Sequence, residues 1–188
     1  DLIEELPRGP LPAWGDAGVF VPWTAYEFYG DTRILAEQYE AAARWVDWIH
    51  AGNPDLLWKN KRHNDYGDWL NADTLKLEGW PAKGAEVPKD VFATMFFYRS
   101  TRIVSSMARV LNKNDDAARY AALADSIRAA FAKAYVKSDG RIEGDTQAGY
   151  ALAYHFGLLP DTAPAAAVDN MTRAFDRYNG QISTGFHS

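Results

Sequence analysis

The chain has 188 residues, 47% of them hydrophobic, which suits one domain or a large piece of one built on a substantial core. Twenty basic against 25 acidic residues give a formal charge of -5, and no segment is dominated by Lys or Arg, so nucleic acid is excluded as an expected partner. The absence of Cys rules out a disulfide framework, a thiol nucleophile and a thiolate metal site, and no apolar run approaches the ~18 to 20 residues that span a bilayer.

A first helix is predicted from Asp16 or Ala17 to Tyr29, apolar on nearly every side, with Pro22 in its first turns and Gly30 ending it. Asp31 caps a second helix running to about Ala51. In it Ile34, Leu35, Tyr39, Ala42, Trp45, Val46 and Ile49 form a stripe opposite Arg33, Glu37, Glu40 and Arg44. Residues 53–87 hold no sustained period and several Gly, Pro, Asn and Asp, which predicts an extended loop; loops of that length are often functional. Pro88 opens a third helix to about Leu111, with a broad apolar surface that includes Phe92, Met95, Phe96, Ile103, Val104 and Met107. The fourth, from about Asp115 to Val136, is amphipathic: Tyr120, Leu123, Ile127, Ala130, Phe131 and Ala134 lie opposite Arg119, Asp125, Arg128 and Lys133. After a turn at Ser138-Asp139-Gly140, a nearly uncharged fifth helix starts at Asp145 or Thr146 and stops after Phe156. A sixth, Ala-rich, covers about Thr162 to Tyr178 before Asn179-Gly180.

The alternation has an architectural consequence. Helices one, three and five are apolar nearly all round, whereas two, four and six are amphipathic, so the odd helices should be enclosed by the even ones in an all-α layered fold. With consecutive helices antiparallel, the starts of the odd helices share one end of the molecule. Trp14-Gly15-Asp16, Tyr66-Gly67-Asp68-Trp69 and Gly144-Asp145-Thr146-Gln147 all lie at or just before those starts, so they should converge on one rim.

Trp14, Asp16, Asp68 and Trp69 are the candidate substrate-binding residues. An indole presents a flat apolar face to the C–H face of a sugar ring, and a carboxylate accepts hydrogen bonds from adjacent hydroxyls. The competing readings are structural: the tryptophans as core residues or lids over helix ends, and the aspartates as N-cap or turn residues. Asp145 reads first as an N-cap, with Thr146 and Gln147 as weaker rim candidates. Asp16 and Asp68 also qualify by type as the two carboxylates of a glycosidase, but sequence supplies no separation between them. Trp45 and Trp48 read as packing residues. His50, His63, His155 and His187 are scattered without metal-ligand spacing, and no Gly-rich phosphate loop or Gly-x-Ser-x-Gly elbow is present, so neither metal nor cofactor is expected. Asp1, Leu2, Ile3, Glu4 and Glu5 lack a basic segment followed by an apolar one, so the chain as given is expected to be soluble.

Trp14-Gly15-Asp16-Ala17, Val21-Pro22-Trp23, Tyr29-Gly30-Asp31, Tyr66-Gly67-Asp68-Trp69, Gly144-Asp145-Thr146-Gln147 and Ser183-Thr184-Gly185-Phe186 occur in the order found in bacterial alpha-L-rhamnosidases. Over almost its whole length the chain resembles roughly the middle half of that family's six-hairpin catalytic domain, a barrel of about twelve helices in inner and outer rings. The resemblance implies part of an (α/α)6 barrel and an inverting hydrolase of terminal alpha-L-rhamnosides, in which one carboxyl protonates the leaving oxygen and another activates water. It places the acid Glu upstream of the position of Trp14 and the base Glu beyond that of Ser188, so no catalytic residue is assigned here. What it assigns is Trp14 and Trp69 as walls of the rhamnose pocket, with Asp16 and Asp68 as supporting polar residues. The chain alone is therefore expected to be inactive. An open half-barrel would expose the apolar sides of its inner helices, which predicts self-association or dependence on the remainder of the domain. The competing class is a noncatalytic helical-hairpin module that binds a glycan or a protein through its concave rim.

Overall fold

The computed structural model describes residues 11–62, 65–69, 87–159, 164–176 and 179–188. The described helices are α1 (Ala17–Tyr29), α2 (Thr32–Gly52), α3 (Lys89–Val110), α4 (Asn114–Tyr135), α5 (Gln147–Phe156) and α6 (Pro164–Ala174). Much of the loop expected over 53–87, His63, the segment from Asp1 to Glu5, and both ends expected for the sixth helix lie outside the described residues.

Local chemistry sets most boundaries. Gly30 takes a left-handed φ of 67° and donates its N–H to the Tyr26 carbonyl, closing α1. Asp31 then caps α2 by accepting from the Arg33 N–H at 2.9 Å. Thr146 caps α5 through Gly149, where Asp145 was the first expectation. Asp145 has a φ of 49° and instead accepts from the Tyr150 hydroxyl. Between α4 and α5 the chain reverses through a bridge pairing Val136 with Ile142, with Gly140 at a φ of 77° in the turn.

The helices pair as α1 with α2, α3 with α4 and α5 with α6, and α1, α3 and α5 form a row through direct contacts of α3 with both others. The described helices thus form three consecutive hairpins. Most of α3 is buried, including Phe92, Phe97, Tyr98, Val104 and Met107, and its buried hydroxyls find partners both within the helix and on other elements. Ser105, for example, donates to the Ala117 carbonyl at 2.8 Å and so ties α3 to α4. In α5 Ala148, Tyr150, Leu152, Ala153 and Phe156 are buried. The α2 stripe is buried at Leu35, Tyr39, Ala42, Val46 and Ile49, as the period predicts. In α4 the stripe ends on Tyr135 rather than Ala134, which is exposed.

Helix α1 departs from the expected enclosure. Val19 and Pro22 are its buried residues, while Phe28 and Tyr29 are 80% and 84% exposed. The reason is positional: α3 packs against α1, α2, α4 and α5, whereas α1 packs along α2 and α3 and meets α5 through Phe20 against Phe156. Its all-round apolar character has matching neighbours over only part of its circumference.

Candidate functional site

The turn before α1 is held from three directions. Asp16 is completely buried; its Oδ2 accepts from the Ala13 N–H at 2.8 Å, and its Oδ1 accepts from Trp45 Nε1 at 2.9 Å and from the Ser100 hydroxyl. Trp45 lies on α2 and Ser100 on α3, so one carboxylate joins the turn to both helices. Burial pushes the Asp16 carboxyl above its ordinary value, against the lowering effect of Ser100, Trp45 and Ala13. Although Asp16 occupies the N-cap position of α1, its side chain makes no cap hydrogen bond. Gly15 packs under the Trp45 indole, where an added Cβ would lie 2.4 Å from Cη2. Immediately before these two residues Trp14 remains 39% exposed.

The second cluster is anchored differently. Asp65 is buried beside Arg62 at 3.2 Å, and Lys89 Nζ donates to the Asp65 carbonyl at 2.6 Å, pinning this stretch to the start of α3. Burial pushes the Asp65 carboxyl upward, opposed by Arg62 and Lys89. Three residues later Asp68, also completely buried, faces the segment 183–188. Its Oδ2 accepts from Gly185 N at 2.9 Å and from Ser188 Oγ at 2.8 Å, and its Oδ1 accepts from His187 N at 3.1 Å. The Trp69 carbonyl accepts from Phe186 N at 2.6 Å. A Cβ on Gly185 would lie 2.4 Å from the Asp68 carbonyl oxygen, so this close approach requires glycine. Gln147 secures the same segment from α5, accepting from Ser183 N at 3.0 Å and donating to the Gln181 carbonyl at 3.1 Å.

These anchors assemble an aromatic rim. Trp14 lies 6.4 Å from both Tyr66 and Trp69 between ring centroids, and Tyr66 and Trp69 are 5.4 Å apart. Phe186 stacks on Trp14 at 5.4 Å with planes 4° apart, and the His187 imidazole stands edge-on to both at 5.2 and 5.1 Å. Burial pushes His187 below the usual imidazole range, partly offset by the Asp68 charge. Below the rim is a cavity of about 780 Å³ whose walls include Trp14, Phe20, Phe96, Phe156, Phe186 and His187. Such a space admits a ligand with an extended apolar face and few polar contacts.

The structure thus brings Trp14 and Trp69 together and places Asp16 and Asp68 beneath them. Every carboxylate oxygen of both aspartates already accepts a hydrogen bond from the chain. Neither is placed to exchange a proton with a ligand in the cavity, which separates this geometry from that of an acid and base pair. Thr146 and Gln147 are buried supports rather than rim contacts. Phe186 and His187 complete the cluster without having been singled out as site residues; the available signal was Gly185 immediately before an aromatic residue. Ser100, which anchors Asp16, carries no local signal. Among the described residues no group of three or more His, Asp or Glu is placed to hold a metal, and no helix is long and apolar enough to cross a membrane.

Residues 5–188 match the model of the bacterial alpha-L-rhamnosidase 6 hairpin glycosidase domain. An alpha-L-rhamnosidase of Streptomyces avermitilis is 39% identical over 176 residues, covering 94% of this chain and 16% of that protein. The crystal structure of Streptomyces avermitilis alpha-L-rhamnosidase complexed with L-rhamnose aligns with a TM-score of 0.81 at 38% identity, over 93% of this chain and 16% of that one. Native alpha-L-rhamnosidase from Aspergillus terreus aligns with a TM-score of 0.81 at 28% identity, over 95% of this chain and 20% of its own. The chain therefore spans between 16% and 20% of the length of these relatives.

Proposed function

The chain belongs to the family of the bacterial alpha-L-rhamnosidase six-hairpin glycosidase domain, and we propose that it forms one wall of a pocket for the rhamnose unit of a rhamnose-containing glycoside. The observation that carries this reading is the approach of Trp14 and Trp69 to 6.4 Å above two buried, fully hydrogen-bonded aspartates. An indole face suits the apolar methyl and C–H surface of a 6-deoxy sugar, and rigid support beneath it lowers the ordering cost of binding. Trp14 and Trp69 supply contact; Asp16 and Asp68 hold them in place. The complexed relative supports the choice of L-rhamnose as the probe.

On this reading the parent activity is hydrolysis of alpha-L-rhamnosides, with the proton-transferring carboxyls supplied from outside these 188 residues. Calorimetric titration of the isolated chain with L-rhamnose should show saturable binding that Trp14→Ala and Trp69→Ala each weaken by about tenfold or more, with no hydrolysis of an aryl rhamnoside. Hydrolysis by the purified chain that disappears in Asp16→Asn or Asp68→Asn would make those carboxylates catalytic and overturn the assignment. Binding of a protein partner with no response to rhamnose or rhamnosides would instead establish the noncatalytic module.

The exposed side of α1, with Val21, Phe28 and Tyr29 at the surface, supports a second element of the proposal. This face meets either the remainder of a six-hairpin domain or another copy of the chain. Sedimentation of the isolated chain should therefore show concentration-dependent association, and a monomer persisting to high concentration would remove that element.

A further inference from the structure

Phe186 is 61% exposed, more so than Trp14 or Tyr66 at 39% each, yet its backbone is among the most tightly fastened on the rim. The N–H groups of Gly185 and His187 donate to Asp68, and that of Phe186 itself donates to the Trp69 carbonyl. The glycine before it has no room for a side chain against Asp68.

Its relation to Trp14 narrows what it can do. Planes 4° apart with centroids at 5.4 Å describe an offset stack, because contacting carbons lie about 3.5 to 4.0 Å apart. The phenyl ring therefore overlaps part of the indole and is displaced sideways from it by about 4 Å, while both rings line the same cavity. A phenyl group has no polar atom with which to recognise hydroxyls. Near Phe186 the polar groups Ser188 Oγ and the Asp68 carboxylate are engaged with each other.

We propose that Phe186 is a specificity-determining residue for the group attached to the sugar, a platform for a flat aromatic aglycone beside the sugar platform of Trp14. The inference rests on the assignment of this rim to a rhamnose unit. A sideways displacement of that size is the step from a sugar to a group joined to it through a single oxygen. Phe186 lines the same cavity as Trp14, and an aromatic face is the chemistry a bare phenyl ring rewards.

The test compares L-rhamnose, methyl alpha-L-rhamnoside and phenyl alpha-L-rhamnoside by calorimetric titration of the 188-residue chain. The unmodified chain should bind the phenyl glycoside about five- to tenfold more tightly than the methyl glycoside. Phe186→Ala and Phe186→Leu should both lower that ratio to about one, the phenyl glycoside losing more affinity than L-rhamnose or the methyl glycoside, and Phe186→Trp should restore it. Phe186→Leu keeps apolar bulk on the loop, so its loss of the ratio is not a folding effect. Equal binding of phenyl and methyl glycosides by the unmodified chain, with L-rhamnose still bound, would overturn the aglycone platform alone. So would a uniform loss across all three ligands in Phe186→Leu. Failure of the unmodified chain to bind any of the three would instead remove the rhamnose assignment and this inference with it.

Discussion

Two turns in this molecule share an aromatic residue, a glycine and an aspartate, and the aspartates do different work. Asp16 accepts from Trp45 on α2 and Ser100 on α3, so it joins the turn carrying Trp14 to two helices of the core. Asp68 accepts from Gly185, His187 and Ser188, so it joins the strip carrying Trp69 to another irregular segment. Both carboxylates are completely buried, but the donors of the first belong to the packed framework and those of the second largely to the rim. Similar sequence signatures can thus specify attachments of unequal reach. Trp14 sits where they meet: the Asp16 turn presents it, and the segment fastened by Asp68 lays Phe186 against it.

The sharpest test of the difference is Asp16→Ala. It leaves the Ala13 N–H, Trp45 Nε1 and Ser100 hydroxyl without their acceptor. Two of these groups sit on helices whose packing leaves little access for water. The expected loss is about 3 kcal/mol of global stability. Chemical denaturation followed by far-UV circular dichroism should show a lower midpoint with an unchanged slope. A midpoint within about 0.5 kcal/mol of the parent would mean that Asp16 does not couple the turn to the helices.

The contrast also shows what kind of information the sequence carries. Helix type and length were legible because apolar periodicity and capping residues act over a few positions: Asp31 and Gly30 both sit where their chemistry predicts. The cap of α5 was misplaced by one residue because Asp145 adopts a left-handed backbone and leaves the role to Thr146. Burial of α3 and α5 followed from their uniform apolarity, but α1 has similar apolar character and is largely exposed, since burial depends on neighbours as well as composition. In the candidate site, the meeting of Trp14 and Trp69 followed from counting antiparallel helices. The partners of Asp16 did not, because Trp45 and Ser100 lie 29 and 84 residues away and are brought there by packing. Nor did the stacking of Phe186 on Trp14 follow, since it depends on pairing with a segment more than a hundred residues earlier.

Asp68→Ala should have the smaller effect, and its spatial distribution matters more than its size. The donors it abandons lie in an irregular segment where Phe186 and Ser188 are exposed, so water can replace much of what the carboxylate supplied. A global loss of about 1 kcal/mol or less is expected. The local consequence is larger: Gly185, Phe186 and His187 should lose protection in amide hydrogen exchange, while amides of α3 keep theirs. Tryptophan fluorescence should shift as Phe186 leaves the face of Trp14. A loss of protection spread through α3 and α4, comparable to that in Asp16→Ala, would mean that both aspartates hold the same cooperative unit. Confinement to the 183–188 segment would establish that the aromatic rim is made of two separately fastened parts, with Trp14 borne by the helical framework and Phe186 by the Asp68 clasp.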